Sequence, residues 1–355
     1  MIGISLLTLV PGLSGGSETY ARELCRALAG VGELRYRVFV PDIAVDASDG
    51  LPSSIVPGYR ASRSMPGRIA AMSLAALRPG PLRRALEPER LDAIHFPLSV
   101  MLPVVERPPA ATTVVDLQHE EHPEFFSRAE LAYRKVVYGG TVRRSQIVVT
   151  ISEHARGTLL EGYRLPPERV RAIPLGVDHA VFAPSDKASR GEFLLYPGRP
   201  WRHKNHARLY AAFAQLRAAR PELRLVLTGD GDYGTLPDGV ESRGLVPRDE
   251  LVDLYRRAAA LVFPSLYEGF GLPVVEAMAC GCPVACSNTT SLPEVAGDAA
   301  RLFDPRDVDD IAAAVNDVLD DPGPYAGRGL ERAQRYTWEA CAHAHDELYR
   351  ALSSG

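Results

Sequence analysis

The chain has 355 residues, too many for one ordinary core, and its 46% apolar and 24% charged residues are those of a soluble globular protein of two domains. A formal net charge of −4 gives no basic excess for nucleic acid, and no apolar run approaches the roughly 20 residues of a membrane span. Five cysteines, an odd number, suit a reducing compartment, and Met1 leads straight into an apolar strand without room for a signal peptide, so a cytoplasmic protein is expected.

In the first half, a strand is predicted over Ile2 to Leu9. Pro11-Gly-Leu-Ser-Gly-Gly16 follows, then a helix over Ser17 to Ala29 with Tyr20, Leu24 and Leu28 on one face. A glycine loop at a helix N-terminus is an anion cradle, although Gly15-Gly16 is equally a plain turn and Glu18 equally a cap. The dinucleotide fingerprint Gly-x-Gly-x-x-Gly is absent. Further strands are predicted at Tyr36 to Val40, Ala93 to Phe96, Thr112 to Val115 and Ile147 to Ile151, alternating with helical stretches. Between Tyr36–Val40 and Ala93–Phe96, Tyr59 to Arg90 carries Arg60, Arg63, Arg68, Arg78, Arg83 and Arg84 against the acids Glu87 and Glu89. That segment reads as a solvated, partly helical excursion, or as a peripheral contact with an anionic membrane surface or a lipid-linked pyrophosphate. Asp116-Leu-Gln-His119 directly follows a strand end, where functional side chains gather in α/β sheets, though these residues also suffice to tie a loop. Ser152 is placed as a helix N-cap. Ala183 to Gly191 reads as polar linker, and the domain boundary is expected near residue 185.

In the second half, a strand over Phe193 to Tyr196 leads into Gly198-Arg199-Pro-Trp-Arg-His-Lys204-Asn205 and a helix to Ala219. Arg199 and Lys204, five apart around a strand-to-helix turn, can both reach a diphosphate, one with a planar fork and one as a point charge. A strand over Leu223 to Leu227 precedes Thr-Gly-Asp230-Gly-Asp232, read as a glycine-rich turn rather than a metal site. Gly244-Leu245-Val246-Pro247 then introduces a helix over Asp249 to Arg257. Residues 261 to 286 read as strand, glycine loop, helix, strand. Gly269 and Gly271 let the backbone turn tightly, Pro273 suits the first position of a helix, and Gly281 with Pro283 ends the helix. Seven residues separate Glu268 from Glu276, so a strand-to-helix turn can aim both into one crevice. A carboxylate suits vicinal sugar hydroxyls because it accepts two hydrogen bonds and offers none, whereas a lone Glu here would merely favour the helix dipole. Cys280, Cys282 and Cys286 match no zinc spacing and read as buried structural residues, and His343 and His345 as helix residues rather than ligands. Ser291-Leu-Pro-Glu294 reads as a capping box, Asp307 and Asp309 as a helix N-terminus, and amphipathic helices are expected from Val308 and from Trp338.

The run Glu268-Gly-Phe-Gly-Leu-Pro-Val-Val-Glu276-Ala-Met-Ala-Cys-Gly-Cys-Pro-Val resembles the signature of retaining, family-four-type glycosyltransferases of the GT-B fold. The resemblance covers most of the chain, through Gly15-Gly16-x-Glu18, Arg199 with Lys204, and Gly244 to Pro247. It implies an α/β protein of two Rossmann-like doubly wound domains facing across a cleft. Residues 1–185 would hold the acceptor, 186–336 the nucleotide sugar, and a C-terminal helix, 337–355, would cross back to the first domain. The roles implied are donor-sugar contact for Glu268, ribose binding for Glu276, phosphate binding for Arg199 and Lys204, and base contact for Leu245 and Val246. Gly269, Phe270, Gly271 and Leu272 would line the donor, with Gly15 and Gly16 approaching its phosphates or the acceptor. The family has a His before its Asp-Leu, and this chain has Val115 there, so the role passes to His119 beside Asp116 or is dispensed with. Retention of configuration without a metal or other cofactor is implied, with a glycan, lipid-linked or small-molecule acceptor. GDP-mannose is favoured over UDP- or dTDP-sugars as donor, by the likeness of Asp116-Leu-Gln-His and Lys204-Asn-His to mannosyl- and rhamnosyltransferases. Val115 also leaves open a catalytically silent, glycosyltransferase-like binding subunit.

Overall fold

The computed structural model describes residues 1–13, 15–57, 59–185 and 188–354. Residue 14 of the first glycine loop and the side chain of Arg68 lie outside the described residues. The chain forms two compact units, Met1–Gly176 with the segment from Trp338 onward, and Val177–Thr337.

The first unit contains the strands β1 (Ile2–Ser5), β2 (Tyr36–Val40), β3 (Ser53–Ile55), β4 (Ala93–Phe96), β5 (Ala110–Val114), β6 (Ile147–Thr150) and β7 (Val170–Ala172). Its helices are α1 (Gly16–Val31), α2 (Met65–Leu77), α3 (Gly80–Leu86), α4 (Gln118–Glu121), α5 (Arg128–Arg144) and α6 (Glu153–Tyr163). The strands pair in parallel in the order β3-β2-β1-β4-β5-β6-β7. Every residue of β1, β4 and β5 is buried, because helices cover both faces of a parallel sheet and leave no solvent side to alternate toward. The apolar stripe on α1 buries Tyr20, Leu24 and Leu28 as its spacing predicts. The Ser152 hydroxyl accepts the Ala155 N–H at 3.1 Å and caps α6. The first strand ends at Ser5, short of the expected Leu9, and β3 was not anticipated.

The second unit contains β8 (Phe193–Pro197), α7 (His206–Ala219), β9 (Arg224–Thr228), β10 (Val240–Ser242), α8 (Arg248–Arg257), β11 (Ala260–Phe263) and α9 (Leu272–Ala279). β12 (Val284–Ser287), α10 (Leu292–Ala296), β13 (Arg301–Phe303), α11 (Val308–Asp320) and α12 (Pro322–Ala333) follow. Its parallel sheet runs β10-β9-β8-β11-β12-β13. In both sheets the first strand of the unit lies inside, between its successor and a strand formed much later. That reversal of winding is where loops at the carboxyl ends of adjacent strands diverge and leave room for a ligand.

The first unit breaks off at Gly176, ahead of the expected 185. The polar stretch before 185 belongs to the second unit because Arg256 donates to the Val181 and Ala183 carbonyls, at 3.3 and 2.7 Å, and Arg248 lies 3.4 Å from Asp178. Val177 bridges to Thr337 in parallel, so the second unit is closed at both of its ends.

The last helix, α13 (Trp338–Ser354), packs on α1 and completes the first unit, as expected. What holds it is a chain of fully buried hydrogen bonds. His345 Nδ1 faces the Cys341 carbonyl at 2.8 Å, so that nitrogen donates and Nε2 accepts from the Tyr20 hydroxyl at 3.0 Å. Tyr20 oxygen then accepts from Thr113, 2.8 Å away, and Thr113 accepts from His95 Nε2 at 2.8 Å. His95 Nδ1 is left to accept from the Tyr349 hydroxyl at 2.7 Å. One carbonyl thereby fixes both tautomers and every donor along the line. Beside it, the buried Asp346 accepts from the Tyr36 hydroxyl and, at 2.7 Å, from the Glu33 N–H. His345 is a helix residue, as expected, but a structurally committed one.

Both imidazoles are held neutral by burial, which lowers His345 to about 4 and takes His95 well below its ordinary value. The unfolded chain protonates these sites below about 6.5, and the folded one only much lower, so their stability contribution is lost as pH falls from about 6.5 toward 4. For His345 alone the loss amounts to roughly 3 kcal/mol across that window. Urea unfolding is expected to show a falling midpoint between about pH 7 and pH 4.5, with a shallower slope in His345→Gln; equal slopes would show that His345 is not held neutral.

Candidate functional site

The site of the second unit forms where β8 and β11 lie side by side. The loop after β8 carries Arg199 and Lys204, and the loop after β11 carries Glu268 through Gly271. Adjacent strands deliver both loops to one edge, and main chain ties them together: the Leu266 N–H donates to the His203 carbonyl at 2.8 Å. Asn205 takes a left-handed conformation, φ 60°, which Asn tolerates better than most residues, and its buried amide donates to the Pro264 and Pro305 carbonyls at 3.0 and 2.7 Å. Tyr196, fully buried, donates to the Lys204 carbonyl at 2.7 Å.

These ties bring Lys204 Nζ to 2.5 Å from Glu268 Oε1. The two side chains are 12% and 13% exposed, so the charges face each other in a medium well below the dielectric of water. The ammonium also lies 5.1 Å above the Phe263 ring. The Glu268 main chain is held as well, its N–H by the Thr290 hydroxyl at 3.1 Å and its carbonyl by the Ser291 hydroxyl at 2.9 Å. Ser291 Oγ donates equally to the Phe270 carbonyl, 2.9 Å away. This corrects the reading of Ser291 to Glu294 as a capping box: α10 has no side-chain cap, because the serine hydroxyl is spent on the glycine loop.

Gly271 sits at φ 108° as the N-cap of α9, and a Cβ there would meet Leu292 Cδ2 at 2.7 Å, so the loop closes onto the helix only with glycine. Phe270 turns its ring inward, edge-on to Tyr336 at 5.5 Å, which leaves its main chain as what it can offer a ligand. Gly269 and Leu272 are half-buried around it. Glu276, on α9, receives the Tyr255 hydroxyl at 2.9 Å. Arg199 is half-buried, with its guanidinium 5.5 Å from the ring of the exposed Trp201. Gly229 passes directly beneath Arg199: its φ is 130°, and a Cβ would lie 3.0 Å from the Arg199 nitrogen. The Asp230 to Asp232 stretch is thus the close-packing turn it was expected to be, with Asp232 accepting the Gly234 N–H at 2.8 Å. Gly229 in turn donates to the Gly244 carbonyl, so the 244–247 loop lies beside this turn, its Leu245 76% exposed and its Val246 half-buried. Cys280, Cys282 and Cys286 are buried thiols raised to about 12, 11 and 12 by burial, as inert structural cysteines are.

The remaining candidates belong to the first unit. Gly15, at φ 51°, caps α1 and leads into Gly16 with open space around both. Glu18 reaches back to accept the Gly12 N–H at 2.8 Å and lies 3.2 Å from Arg22, so it closes the loop from within. Asp116 accepts the Gln118 N–H at 2.7 Å and is partly open to solvent. His119 is buried edge-on to Tyr138 at 5.2 Å, and burial together with the Arg134 guanidinium lowers its pKa. Its ring nitrogens make no hydrogen bond within the described residues, Nε2 standing 3.5 Å from Glu120 Oε1 without bonding geometry. Val115 is buried, its N–H donating to the Ser99 hydroxyl at 3.2 Å. The sequence did not point to the roles of Asn205, Thr290 and Tyr255, and it pointed to the wrong one for Ser291. Of these only Asn205 carried a signal, its place directly after a cationic loop and before a helix.

A model described as Glycosyltransferase Family 4 matches residues 14–181, and one described as Glycosyl transferases group 1 matches residues 179–337. The chain is 31% identical over 268 residues to the O-antigen chain mannosyltransferase B of Escherichia coli, covering 68% of this chain and 70% of that protein. It is 32% identical over 211 residues to the MMP alpha-(1->4)-mannosyltransferase of Mycolicibacterium hassiacum, covering 55% of this chain and 51% of that one, about half its length. Among solved structures, sucrose-phosphate synthase of Thermosynechococcus elongatus superposes with a TM-score of 0.78 at 22% identity, over 99% of both chains. Anabaena HepE, in complex with UDP and glucose, superposes with a TM-score of 0.72 at 17% identity, again over 99% of both. These two show a shared fold, the GT-B architecture of two parallel α/β units.

Proposed function

The chain belongs to the group 1 glycosyltransferases, and from that premise we propose that it moves a sugar from a nucleotide-sugar donor to a glycan, lipid-linked or small-molecule acceptor, with retention and without a metal. The observation that carries the reading is the meeting of Lys204 with Glu268 at the loops of β8 and β11, with Arg199 on the same loop as Lys204. A diphosphate leaving group carries charge that Lys204 and Arg199 can oppose, and Glu268, held by Lys204, presents a carboxylate to sugar hydroxyls. Glu276 at the next helix serves the ribose, and Leu245 and Val246 the base. In the retaining step the bond from the anomeric carbon to the diphosphate oxygen breaks. The acceptor oxygen then bonds the same face, and its proton passes to the departing phosphate. Asp116 and His119 act on the acceptor side, with His119 neutral at ordinary pH. The donor proposed first is GDP-mannose, because mannosyltransferases stand among the relatives, with UDP- and dTDP-sugars as the alternatives.

Among the described residues no helix is long and apolar enough to cross a membrane. The contact we propose is peripheral, in the α2–α3 region: Leu74 and Leu77 are 58% and 81% exposed, and Arg60, Arg63, Arg78 and Arg84 are exposed in the same stretch of chain. Arg83 is excluded from that face, since it donates to the Val104 carbonyl at 2.7 Å.

Thermal unfolding with GDP, UDP, ADP and dTDP, each with and without EDTA, tests the donor site. One nucleotide at about 100 times its dissociation constant is expected to add roughly 2.7 kcal/mol, unaffected by EDTA. No shift with any of them favours the silent binding subunit, the reading that Val115 supports. With the donor named, Lys204→Ala is expected to lower turnover about 100-fold, roughly 3 kcal/mol of transition-state stabilisation. Because that change strands Glu268, Lys204→Ala with Glu268→Gln is expected to recover stability and not turnover; unchanged turnover in the single variant sinks the assignment. Sedimentation with vesicles is expected to show binding to anionic and not to neutral lipid, abolished in Leu77→Glu, and equal behaviour on both lipids counts against the peripheral contact.

A further inference from the structure

Tyr255 is fully buried on α8, the helix entered from the 244–247 loop, and its hydroxyl donates to Glu276 Oε2 on α9 at 2.9 Å. A buried phenol needs a partner, and phenylalanine would fill the same space without needing one, so the hydroxyl is there for the carboxylate. The ring is itself immobilised, packed edge-on against Phe182 at 6.1 Å. A glutamate on a helix has several rotamers open to it, and the 2.9 Å bond from a buried ring favours those that keep Oε2 against the hydroxyl. Burial and the Glu276 charge raise Tyr255 well above the ordinary phenol range, so it remains an O–H donor at any working pH. The same bond joins two helices with separate tasks: α8 follows the loop read as the base contact, and α9 carries the carboxylate read as the ribose contact.

We propose that Tyr255 is a positioning residue, which sets the Glu276 carboxylate for the vicinal hydroxyls of the nucleotide ribose and couples the base loop to the ribose contact. The proposal rests on the reading of Glu276 given under Proposed function. Its consequence is specificity for an intact ribose, because a carboxylate held by the Tyr255 bond rewards two adjacent hydroxyls and is left unmatched when either is missing.

The test is isothermal titration of GDP, UDP and ADP, each against its 2′-deoxy and 3′-deoxy counterpart, with wild type, Glu276→Gln, Tyr255→Phe and Phe182→Leu. Wild type is expected to prefer the intact ribose about tenfold or more, and Glu276→Gln to lose that preference. Tyr255→Phe is expected to lose most of it, with donor KM raised about tenfold and kcat little changed. Phe182→Leu loosens the same ring without touching the carboxylate, and is expected to melt earlier yet keep the preference. If Glu276→Gln loses the preference and Tyr255→Phe retains it, Tyr255 does not position Glu276, and the ribose reading stands. If Phe182→Leu loses it as fully as Tyr255→Phe, general packing and not the hydroxyl is responsible, which also overturns the proposal. Absence of any ribose preference in wild type, or of nucleotide binding altogether, removes the reading of Glu276 and the proposal with it.

Discussion

Lys204 and Glu268 meet because the second sheet reverses its winding between β8 and β11. Strands formed far apart in the chain become neighbours there, and their following loops have nowhere to run but alongside each other. The rest of the site is built to preserve that adjacency. Asn205 and Leu266 lace one loop to the other through main-chain carbonyls, and Thr290 and Ser291 brace the glycine loop from behind. Gly229 brings a third turn up under Arg199. The charged groups are few, and the positions they occupy are decided almost wholly by backbone.

Much of this was legible in the residues themselves. Buried parallel strands such as β2 and β4 announce themselves as apolar runs, and α1 as a stripe of apolar side chains. The succession of Glu268, two glycines, Pro273 and Glu276 contains its own turn and helix start. Other parts could not be read. Three-residue strands such as β3, β10 and β13 are too short for any period, and the solvent-facing residues of β3 look like loop. The serine of Ser291 to Glu294 offered a familiar local pattern, but tertiary structure claimed its hydroxyl first. Phe270 was counted with the donor contacts by its place in a motif, while its ring belongs to the packing around Tyr336. Tyr255 lies twenty-one positions from Glu276, a separation that says nothing of contact until α8 and α9 are seen together. Ala183 to Gly191 reads as linker by composition, yet Arg256, far along the chain on α8, ties the Val181 and Ala183 carbonyls into a folded unit.

The first unit treats its polar core in a different way. Each neutral hydrogen bond in the line from Tyr349 to the Cys341 carbonyl contributes about 1 kcal/mol net, but any one left unmade in that dry interior costs about 1–3 kcal/mol. The asymmetry makes the line a device for discrimination more than for strength: a helix seated one turn away would strand several donors and acceptors together. It fixes where α13 lies on the sheet with a specificity that apolar packing alone does not provide.

That arrangement has a bearing on how the chain is laid out. His95, Thr113 and Tyr20 precede the second unit in the chain, whereas His345 and Tyr349, which complete their hydrogen bonds, follow it. Without that helix the amino-terminal half leaves Tyr20 and His95 each short of one buried partner. The segment 177–337 is contiguous and has its two ends bridged to each other. The first unit, by contrast, is complete only when α13 is in place, a closing stitch drawn from beyond the whole of the second.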